Sequence, residues 1–243
     1  MPIKTYLTSK EIQQMIDQAP NLRDKVILSF LADVGCRVSE LLHLRLADLD
    51  LEGSTALIPH LKRGIKKKCP SCGRTAGRNT RFCSKCGADL SGVAAEGIDE
   101  RSRMINIGPT TVDLLQEYAK DLKPEERIIN ITRQAVYNIV RRAGVRIGLD
   151  DKAIRNTESG KNHYIHPHSF RDALAVSWLG FAGTDVGKQK ALQEHLGHAS
   201  FETTMRYFKL QPAKIKQVSD EVRKLRFATQ AHSAEDEVPA KDD

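Results

Sequence analysis

Four of the five cysteines in this 243-residue chain occur as two Cys-x-x-Cys pairs, Cys69 with Cys72 and Cys83 with Cys86. Such a turn brings two thiolates to one metal ion, and zinc favours four thiolates in a tetrahedron. A glycine follows each pair and can adopt the left-handed backbone conformation that closes the turn. With ten residues between the pairs, the pattern predicts a structural zinc site. A redox pair or unrelated core cysteines would not explain two such turns.

Four protein ligands leave zinc no open coordination position, so the metal should stabilise the fold and take no part in chemistry. Nine lysines or arginines and no acid lie between Lys62 and Lys85. This charge suits contacts with phosphates, although a tetrathiolate zinc site carries about −2 and offsets part of it. The alternative is a solvated basic surface without a ligand. The fifth cysteine, Cys36, is expected to be a buried thiol.

A second set of reactive side chains is spread along the chain in four short motifs. They are G-C-R-V-S-E-L with Arg37 and Glu40, H-S-F-R with His168 and Arg171, L-G-H with His198, and T-T-M-R-Y with Tyr207. Taken singly, each has a plain structural explanation: a His and an Arg three apart on a helix often form a surface pair, and L-G-H is usually a turn. Their joint occurrence in this order is harder to explain by chance.

The ordered set resembles the tyrosine recombinase (phage integrase) family, whose motifs read T-G-x-R-x-S-E-L, a hairpin lysine, H-x-L-R, L-G-H and T-T-x-x-Y. The match runs from about Tyr6 to Leu210, interrupted by the cysteine-rich segment. The resemblance implies a mainly α fold with a small antiparallel β-sheet (α+β), the DNA breaking-rejoining catalytic domain, with a four-cysteine zinc ribbon inserted in its hairpin. The expected divisions are a catalytic domain at 1–232, the ribbon within it at 66–100, and a disordered acidic tail at 233–243.

The resemblance implies a site-specific DNA recombinase, or integrase, that cleaves and rejoins DNA through a 3′-phosphotyrosyl intermediate formed by Tyr207. Attack on a phosphodiester builds negative charge, which the guanidiniums of Arg37 and Arg171 would neutralise. A phenol with a pKa near ~10 is a poor nucleophile at neutral pH, so a base or a positive field must help. By resemblance, His168 assists proton transfer and His198 bonds a phosphate oxygen.

The leaving 5′-oxygen needs an acid, which in this family is a lysine of the hairpin. Lys62 has this position, with Lys66, Lys67 and Lys68 as alternatives because the insert blurs the alignment. Glu40 is expected to orient the catalytic cluster. Bond energy is conserved in the phosphotyrosyl link, so the resemblance implies neither ATP nor a catalytic metal, and zinc is the one cofactor expected.

Two features depart from the family pattern. Next to Arg171, Phe170 replaces a leucine, and Asp172 stands where a histidine or arginine is common. Asp172 could form a salt bridge that tunes Arg171 or could face away, and the sequence leaves both open. Family members usually carry a helical core-binding domain first, whereas Tyr6 already matches the start of the catalytic domain. Either the chain is a piece of a longer protein or it is a minimal recombinase, for which the basic ribbon is a candidate grip on DNA.

Further DNA contacts are expected on the helix after Thr132, which in the family enters the major groove; the alternative is a solvated basic face. The predicted DNA-contacting residues are Arg63, Lys66, Lys67, Lys68, Arg133, Gln134, Asn138, Arg141 and Arg142. Beyond Tyr207, residues 212–226 have the pattern of an amphipathic helix. The resemblance implies that this helix is exchanged between protomers, so that a monomer in solution assembles as a homotetramer on double-stranded recombination sites.

Hydrophobic periodicity places the motifs on a mainly helical scaffold. A capping-box pattern opens the first helix at 8–18, and Gly35 is expected to stop the second. Further helices are expected at 22–34, in VSELLHLRL, after Pro109, after Thr132, and at 169–181, 184–195 and 201–207. Two short strands, 55–61 and 103–107, flank the cysteine-rich segment and predict a hairpin.

Composition fits an intracellular protein that binds nucleic acid. The chain is 40% apolar, has no run near the ~20 apolar residues of a membrane helix, and begins without a secretory signal pattern. The net charge is +7, and because the tail is acidic the rest of the chain carries +11. Such a charge favours nucleic acid first and a membrane surface second, with solubility alone as the plain alternative. We expect a cytoplasmic, nucleoid-associated protein with no membrane contact.

Two other functions are alternatives. One is a catalytically silent zinc-ribbon DNA-binding protein, which would have no reason to keep all five reactive side chains. The other is a type IB topoisomerase-like enzyme, which shares the active-site logic but relaxes supercoils. The L-G-H and T-T-x-x-Y motifs favour a recombinase. The DNA site, and the choice among integration, excision and resolution, are not encoded in any residue that can be identified.

Overall fold

The computed structural model describes residues 4–59, 66–77, 79–96, 102–149, 153–155 and 160–207. Several predictions fall on other parts of the chain. The general-acid candidate Lys62, its neighbour Arg63, the helix at 212–226 and the acidic tail at 233–243 lie outside the described residues.

Most of the regular secondary structure in the described chain is helical. The helices are α1 (Ser9–Asp17), α2 (Leu22–Val34), α3 (Val38–His43), α4 (Pro109–Tyr118), α5 (Arg133–Arg146), α6 (Pro167–Ala182), α7 (Val186–Leu196) and α8 (Phe201–Met205). The helices predicted within the described residues are confirmed, with small changes at their ends. The helix α6 begins two residues before the predicted start because Pro167 suits the first helical turn, where its missing N–H costs no hydrogen bond. Thr8 and Glu11 form the predicted capping box at the start of α1.

The predicted hairpin is part of a three-stranded antiparallel sheet. Its strands are β1 (Leu49–Asp50), β2 (Thr55–Pro59) and β6 (Ser102–Asn106), in the order β1-β2-β6. The register pairs Thr55 with Asn106 and Ile58 with Arg103. The strand β1 was not predicted because two residues are too few to show a period.

The cysteine-rich segment forms a separate small sheet between β2 and β6. Its strands are β3 (Lys66–Lys68), β4 (Thr75–Gly77) and β5 (Ala95–Glu96), in the order β4-β3-β5. Leu90, Cys69 and Cys83 are buried together beneath it. A third, two-stranded sheet of β7 (Ile154–Arg155) and β8 (Asn162–His163) precedes α6. We call the part from β3 to β5 the ribbon.

The main core is built around α2, which packs against α1, α4 and α6. Its side chains Val26, Ile27, Phe30 and Leu31 are fully buried, and each such burial contributes about 1.5–3 kcal/mol relative to exposure. A smaller cluster joins α6, α7 and Tyr207, so the tyrosine is packed onto the same scaffold as the H-S-F-R motif. Among the described residues, no helix is both long and apolar enough to cross a membrane.

Candidate active site

Arg37 stands at the N-terminus of α3, and Glu40 closes the first turn of that helix. The Glu40 carboxylate accepts hydrogen bonds from the Arg37 backbone nitrogen at 3.0 Å and from its Nη1 at 2.7 Å. Burial alone would raise the pKa of Glu40, but hydrogen bonds from Arg103 and from the Arg37 amide hold it below its usual value. The side chain of Glu40 is 1% exposed and that of Arg37 is 18% exposed. The motif thus fixes a partly open guanidinium against a buried, ionised carboxylate.

Arg103 is a residue of this site that the sequence analysis missed. It lies in β6, donates from Nη2 to Glu40 Oε2 at 2.8 Å, and donates from Nε to the carbonyl of His195 at 2.8 Å. Its Nη1 is buried without a hydrogen-bond partner within the described part of the chain. The hairpin is thereby tied to α3 and to the end of α7. The sequence signal for Arg103 was weak: it is a charged residue in a short strand, and it lies 63 residues from Glu40 along the chain.

Arg171 is 1% exposed and lies where the C-terminal ends of two helices meet. It donates from Nη1 to the carbonyl of Gly35 at 2.7 Å and from Nη2 to the carbonyl of Leu196. These carbonyls end α2 and α7, whose dipoles favour a cation there. Gly35 has φ +61°, and a Cβ at this position would lie 2.7 Å from Leu174. Burial and the charge of Arg37 lower the pKa of Arg171, but a guanidinium still remains charged in a protein.

Tyr207 follows α8 and is 8% exposed. Its ring stacks on that of His198, with the centroids 5.9 Å apart, and His198 Nδ1 lies 2.9 Å from the hydroxyl oxygen of Thr204. Burial and the Asp172 carboxylate raise the pKa of Tyr207 to about 12, although the charge of Arg171 opposes the rise. At neutral pH the side chain is therefore a phenol that must lose a proton before or during any attack.

Within the described residues Asp172 pairs with His168 and not with Arg171, so the salt bridge to Arg171, one of the two arrangements that the sequence left open, is not formed there. A hydrogen bond between Asp172 and Tyr207 is one of the causes that set the pKa of both groups, and Oδ1 of Asp172 lies 3.5 Å from Nε2 of His168. Burial raises the pKa of Asp172 to about 7, although Tyr207 and the charge of Arg171 lower it in part. The His168 side chain is 53% exposed and that of Asp172 is 21% exposed, so the histidine stands on the solvent side of the pair.

These contacts gather the reactive residues into one region. Arg37, Glu40, His168, Arg171, His198 and Tyr207 are joined there by Arg103 and Asp172. The catalytic roles of the six remain predictions. The arrangement can bind an anion between two guanidiniums and present a phenol to it.

The four paired cysteines come together. Their sulfur atoms all lie within 4.8 Å of one another, with Cys69 to Cys86 and Cys72 to Cys83 at 3.5 Å. These distances exceed the ~2.05 Å of a disulfide and suit the edges of a tetrahedron with Zn–S bonds of about 2.3 Å. Backbone amides of Lys85 and Cys86 lower the pKa of Cys83 to about 6. The donor set fits a tetrathiolate zinc ion.

Each Cys-x-x-Cys turn is closed by the glycine after it. Gly73 has φ +70° and Gly87 has φ +74°. Their amides donate to the carbonyls of Cys69 at 2.8 Å and Cys83 at 2.9 Å. A side chain would strain this backbone, so the reason given for the two glycines is confirmed.

The predicted DNA-contacting residues within the described chain occupy the ribbon and α5. In the ribbon, Lys66 and Lys68 lie on β3, and Lys67 donates to the carbonyl of Leu90 at 2.7 Å. That hydrogen bond engages the Lys67 ammonium inside the ribbon. The exposed face of α5 carries Arg133, Gln134, Asn138, Arg141 and Arg142.

The packing of α5 explains why its polar residues face outward. Val136 and Val140 are fully buried on the opposite side of the helix. The guanidinium of Arg141 lies 4.3 Å from the centre of the Tyr164 ring. This leaves a basic helical face on the surface of the catalytic scaffold.

The sequence pattern of the phage integrase family matches residues 5–214. The chain belongs to the phage integrase family. Tyrosine recombinase XerD of Bifidobacterium longum is 29% identical over 215 residues, which are 85% of this chain and 58% of that protein. The type 1 fimbriae regulatory protein FimE of Escherichia coli K12 is 28% identical over 211 residues, 85% of this chain and 86% of that protein.

The fold agrees with this membership. A crystal structure of XerA recombinase superimposes with a TM-score of 0.59 at 20% identity, over 92% of this chain and 66% of that one. The predicted fold class is therefore confirmed. The chain spans 58% of the length of XerD and 61% of the length of XerA of Pyrococcus horikoshii.

Proposed function

We propose that this chain is the catalytic part of a site-specific DNA recombinase, and that Tyr207 cleaves and rejoins DNA strands through a 3′-phosphotyrosyl link. The observation that carries the proposal is the packing of Tyr207 against His198 and the α6–α7 cluster, where the charge of Arg171 acts on the phenol and that of Arg37 acts on Arg171. A phenol beside fixed cations suits attack on an anionic phosphodiester.

In this mechanism Arg37 and Arg171 bind the non-bridging oxygens of the scissile phosphate. Both guanidiniums are oriented before DNA arrives, Arg37 by Glu40 and Arg171 by two helix-end carbonyls. Preorganised donors of this kind are each worth about 10²–10³ in rate when charge builds in the transition state. The two guanidiniums are already ordered in the folded protein, so little reorganisation of these side chains accompanies the reaction.

His198 supplies a third donor to the phosphate. The Thr204 hydroxyl can donate to Nδ1 of His198, which leaves the proton on Nε2. A neutral imidazole held in this tautomer can donate from Nε2 to a phosphate oxygen. Stacking on Tyr207 keeps the ring beside the nucleophile.

Lys62 is proposed as the acid that protonates the leaving 5′-oxygen. It follows β2, whose partner strand β6 carries Arg103 to Glu40, so the hairpin and the catalytic cluster are mechanically linked. We further propose that zinc holds the ribbon together, and that the ribbon and the basic face of α5 bind the DNA backbone. Exchange of a C-terminal helix at 212–226 would assemble four protomers on two duplexes.

The test is covalent capture of DNA. A randomised duplex library with a nick near its centre loses, after cleavage, a short fragment that bears the free 5′-hydroxyl, and this loss traps the protein on the remaining strand. Wild type and the control Tyr118→Phe are expected to form an adduct that survives denaturant, and Tyr207→Phe is expected to form none. Tight DNA binding by wild type without any adduct would contradict the proposal and favour a silent DNA-binding protein.

A second readout separates a recombinase from a topoisomerase. Once the captured library has given a site, two duplexes that carry it are mixed with wild type. Exchange of strands between them supports recombination. Relaxation of a supercoiled plasmid without exchange would support the topoisomerase alternative.

A further inference from the structure

We propose that Asp172 is a catalytic residue: it accepts the proton of the Tyr207 hydroxyl during cleavage and returns it during rejoining. The inference rests on the proposed function above, in which Tyr207 is the nucleophile. It assigns the base at a position where the sequence departs from the family pattern.

Geometry places Asp172 between the nucleophile and His168. Tyr207 packs onto α6 in the cluster that contains Ala175, three residues after Asp172, and a hydrogen bond between the phenol and the Asp172 carboxylate contributes to the pKa of both groups. On its other side the carboxylate meets Nε2 of His168, one helical turn earlier on α6, at 3.5 Å. In this arrangement His168 contacts Asp172 and orients it, and the proton passes directly from phenol to carboxylate.

The charged and titratable groups around this carboxylate come from several elements. From α6 they are His168 and Arg171, and from the turn after α8 the phenol of Tyr207. Beyond these lie Arg37 and Glu40 of the α3 region, Arg103 of β6, and His198 after α7. Burial disfavours ionised Asp172, while the hydrogen bond with Tyr207 and the charge of Arg171 favour it.

The balance of these effects suits a base that works near neutral pH. A general base is most effective when its pKa lies close to the working pH, and burial raises the pKa of Asp172 to about 7. An ordinary aspartate with a pKa near ~3.9 would be too weak a base for a phenol. Because Asp172 and Tyr207 interact, the inflection in a pH profile belongs to the pair.

The step is balanced in atoms and charge. The Tyr207 oxygen forms a bond to phosphorus as its proton moves to a carboxylate oxygen of Asp172. The bond between phosphorus and the 5′-oxygen breaks, and that oxygen takes a proton from the general acid, for which Lys62 is proposed. In rejoining, the 5′-hydroxyl returns its proton to the general acid as its oxygen attacks phosphorus, and protonated Asp172 returns its proton to the departing Tyr207 oxygen.

The first test is the pH profile of single-turnover cleavage at saturating protein, from about pH 5.5 to 9 so that the profile brackets the useful range of a base. Wild type is expected to speed up with pH and level off above an inflection at about 7. Asp172→Asn should be about 10²–10⁴-fold slower and lack that inflection, while Asp172→Glu retains it. DNA binding by Asp172→Asn should be unchanged or tighter, because a negative charge near the phosphate is removed.

The second test changes the acidity of the nucleophile. A fluorinated tyrosine placed at position 207 has a more acidic phenol and depends less on a base. The fluorinated tyrosine should therefore raise the cleavage rate of Asp172→Asn by a larger factor than it changes the cleavage rate of wild type. A residue that only supports the fold would not give this selective recovery, and the comparison stands even where Asp172→Asn lowers stability.

Three outcomes would overturn the inference. Asp172→Asn could cleave as fast as wild type with the same pH profile, while wild type forms the adduct; the proposed function would then survive without Asp172 as base. Asp172→Asn could keep the inflection while His168→Gln loses it, which would make His168 the base. Finally, failure of wild type to form any adduct would remove the nucleophile and with it both proposals.

Discussion

Arg103 Nη2 lies 2.8 Å from Glu40 Oε2, and the same buried carboxylate binds Arg37. The hairpin strand β6 and the first turn of α3 are therefore held by one ion-pair network. Any movement of the hairpin, which also leads to the proposed general acid, is coupled through Glu40 to the guanidinium proposed to bind the phosphate.

Removing the Glu40 charge should destabilise the fold and slow cleavage. Glu40→Gln leaves Arg103 and Arg37 without their anion, and breaking a buried pair costs about 3–5 kcal/mol. Urea unfolding at neutral pH measures the free energy of unfolding. The control Glu52→Gln alters an exposed side chain and should stay within about 0.5 kcal/mol of wild type.

The same pair predicts how stability changes in acid. The pKa of Glu40 is lowered in the folded state. The stabilisation that its carboxylate gives the fold is therefore complete above the pKa of the unfolded chain, near ~4.3, and is lost as pH falls through the folded pKa. The difference in the free energy of unfolding between wild type and Glu40→Gln should therefore become smaller below about pH 4. A difference that stays constant from neutral pH into this acid range would contradict the ion-pair assignment.

Asp172 should have the opposite effect on stability. Its pKa is raised to about 7 in the folded state, so the native protein binds the extra proton between pH ~4 and ~7 and loses stability as pH rises through that window. Asp172→Asn removes this cost. Above this window Asp172→Asn should melt at a higher temperature than wild type. The corresponding gain in the free energy of unfolding is a few kcal/mol at most, since each pKa unit is worth about 1.4 kcal/mol. Equal melting temperatures at mildly alkaline pH would contradict the raised pKa.

Zinc removal should weaken DNA binding without altering the chemistry. The purified protein is expected to contain one zinc per chain, measured by metal analysis, and Cys72→Ser should lower that content. Four thiolates leave no position for substrate, so chelated protein that is saturated with DNA should still form the Tyr207 adduct. A cleavage rate that depends on the metal at saturating DNA would overturn the structural assignment.

The basic face of α5 should contribute to DNA affinity through charge. Arg142→Ala is expected to weaken binding and to reduce the slope of log affinity against log salt by about one. Lys120→Ala changes an exposed lysine outside the proposed interface and serves as the control. Equal effects of the two substitutions would indicate nonspecific attraction and remove α5 from the interface.

The helices were predictable because their signals are local. The period of apolar residues, the capping box at Thr8 and the stop at Gly35 all act within a few residues of the chain. The cysteine cluster was predictable for the same reason, since each half of the site is a single turn. Family motifs then indicated which distant side chains would meet.

Contacts fixed by strand register and helix packing were not predictable. Arg103 reaches Glu40 only because β6 pairs with β2 in one register, and no pattern within the strand indicates that partner. The direction of Asp172 depends on where α8 places Tyr207 relative to α6. Both residues contact the predicted site, but their roles emerge from tertiary structure.

The most direct test of the central claim is the identity and polarity of the covalent link. Protease digestion of the trapped adduct, followed by mass spectrometry, locates the nucleotide on one peptide, and end analysis shows which DNA end is free. We expect a 3′-phosphate joined to Tyr207 and a free 5′-hydroxyl on the released fragment. A link to any other residue, or a 5′-phosphotyrosyl bond with a free 3′-hydroxyl, would contradict this expectation.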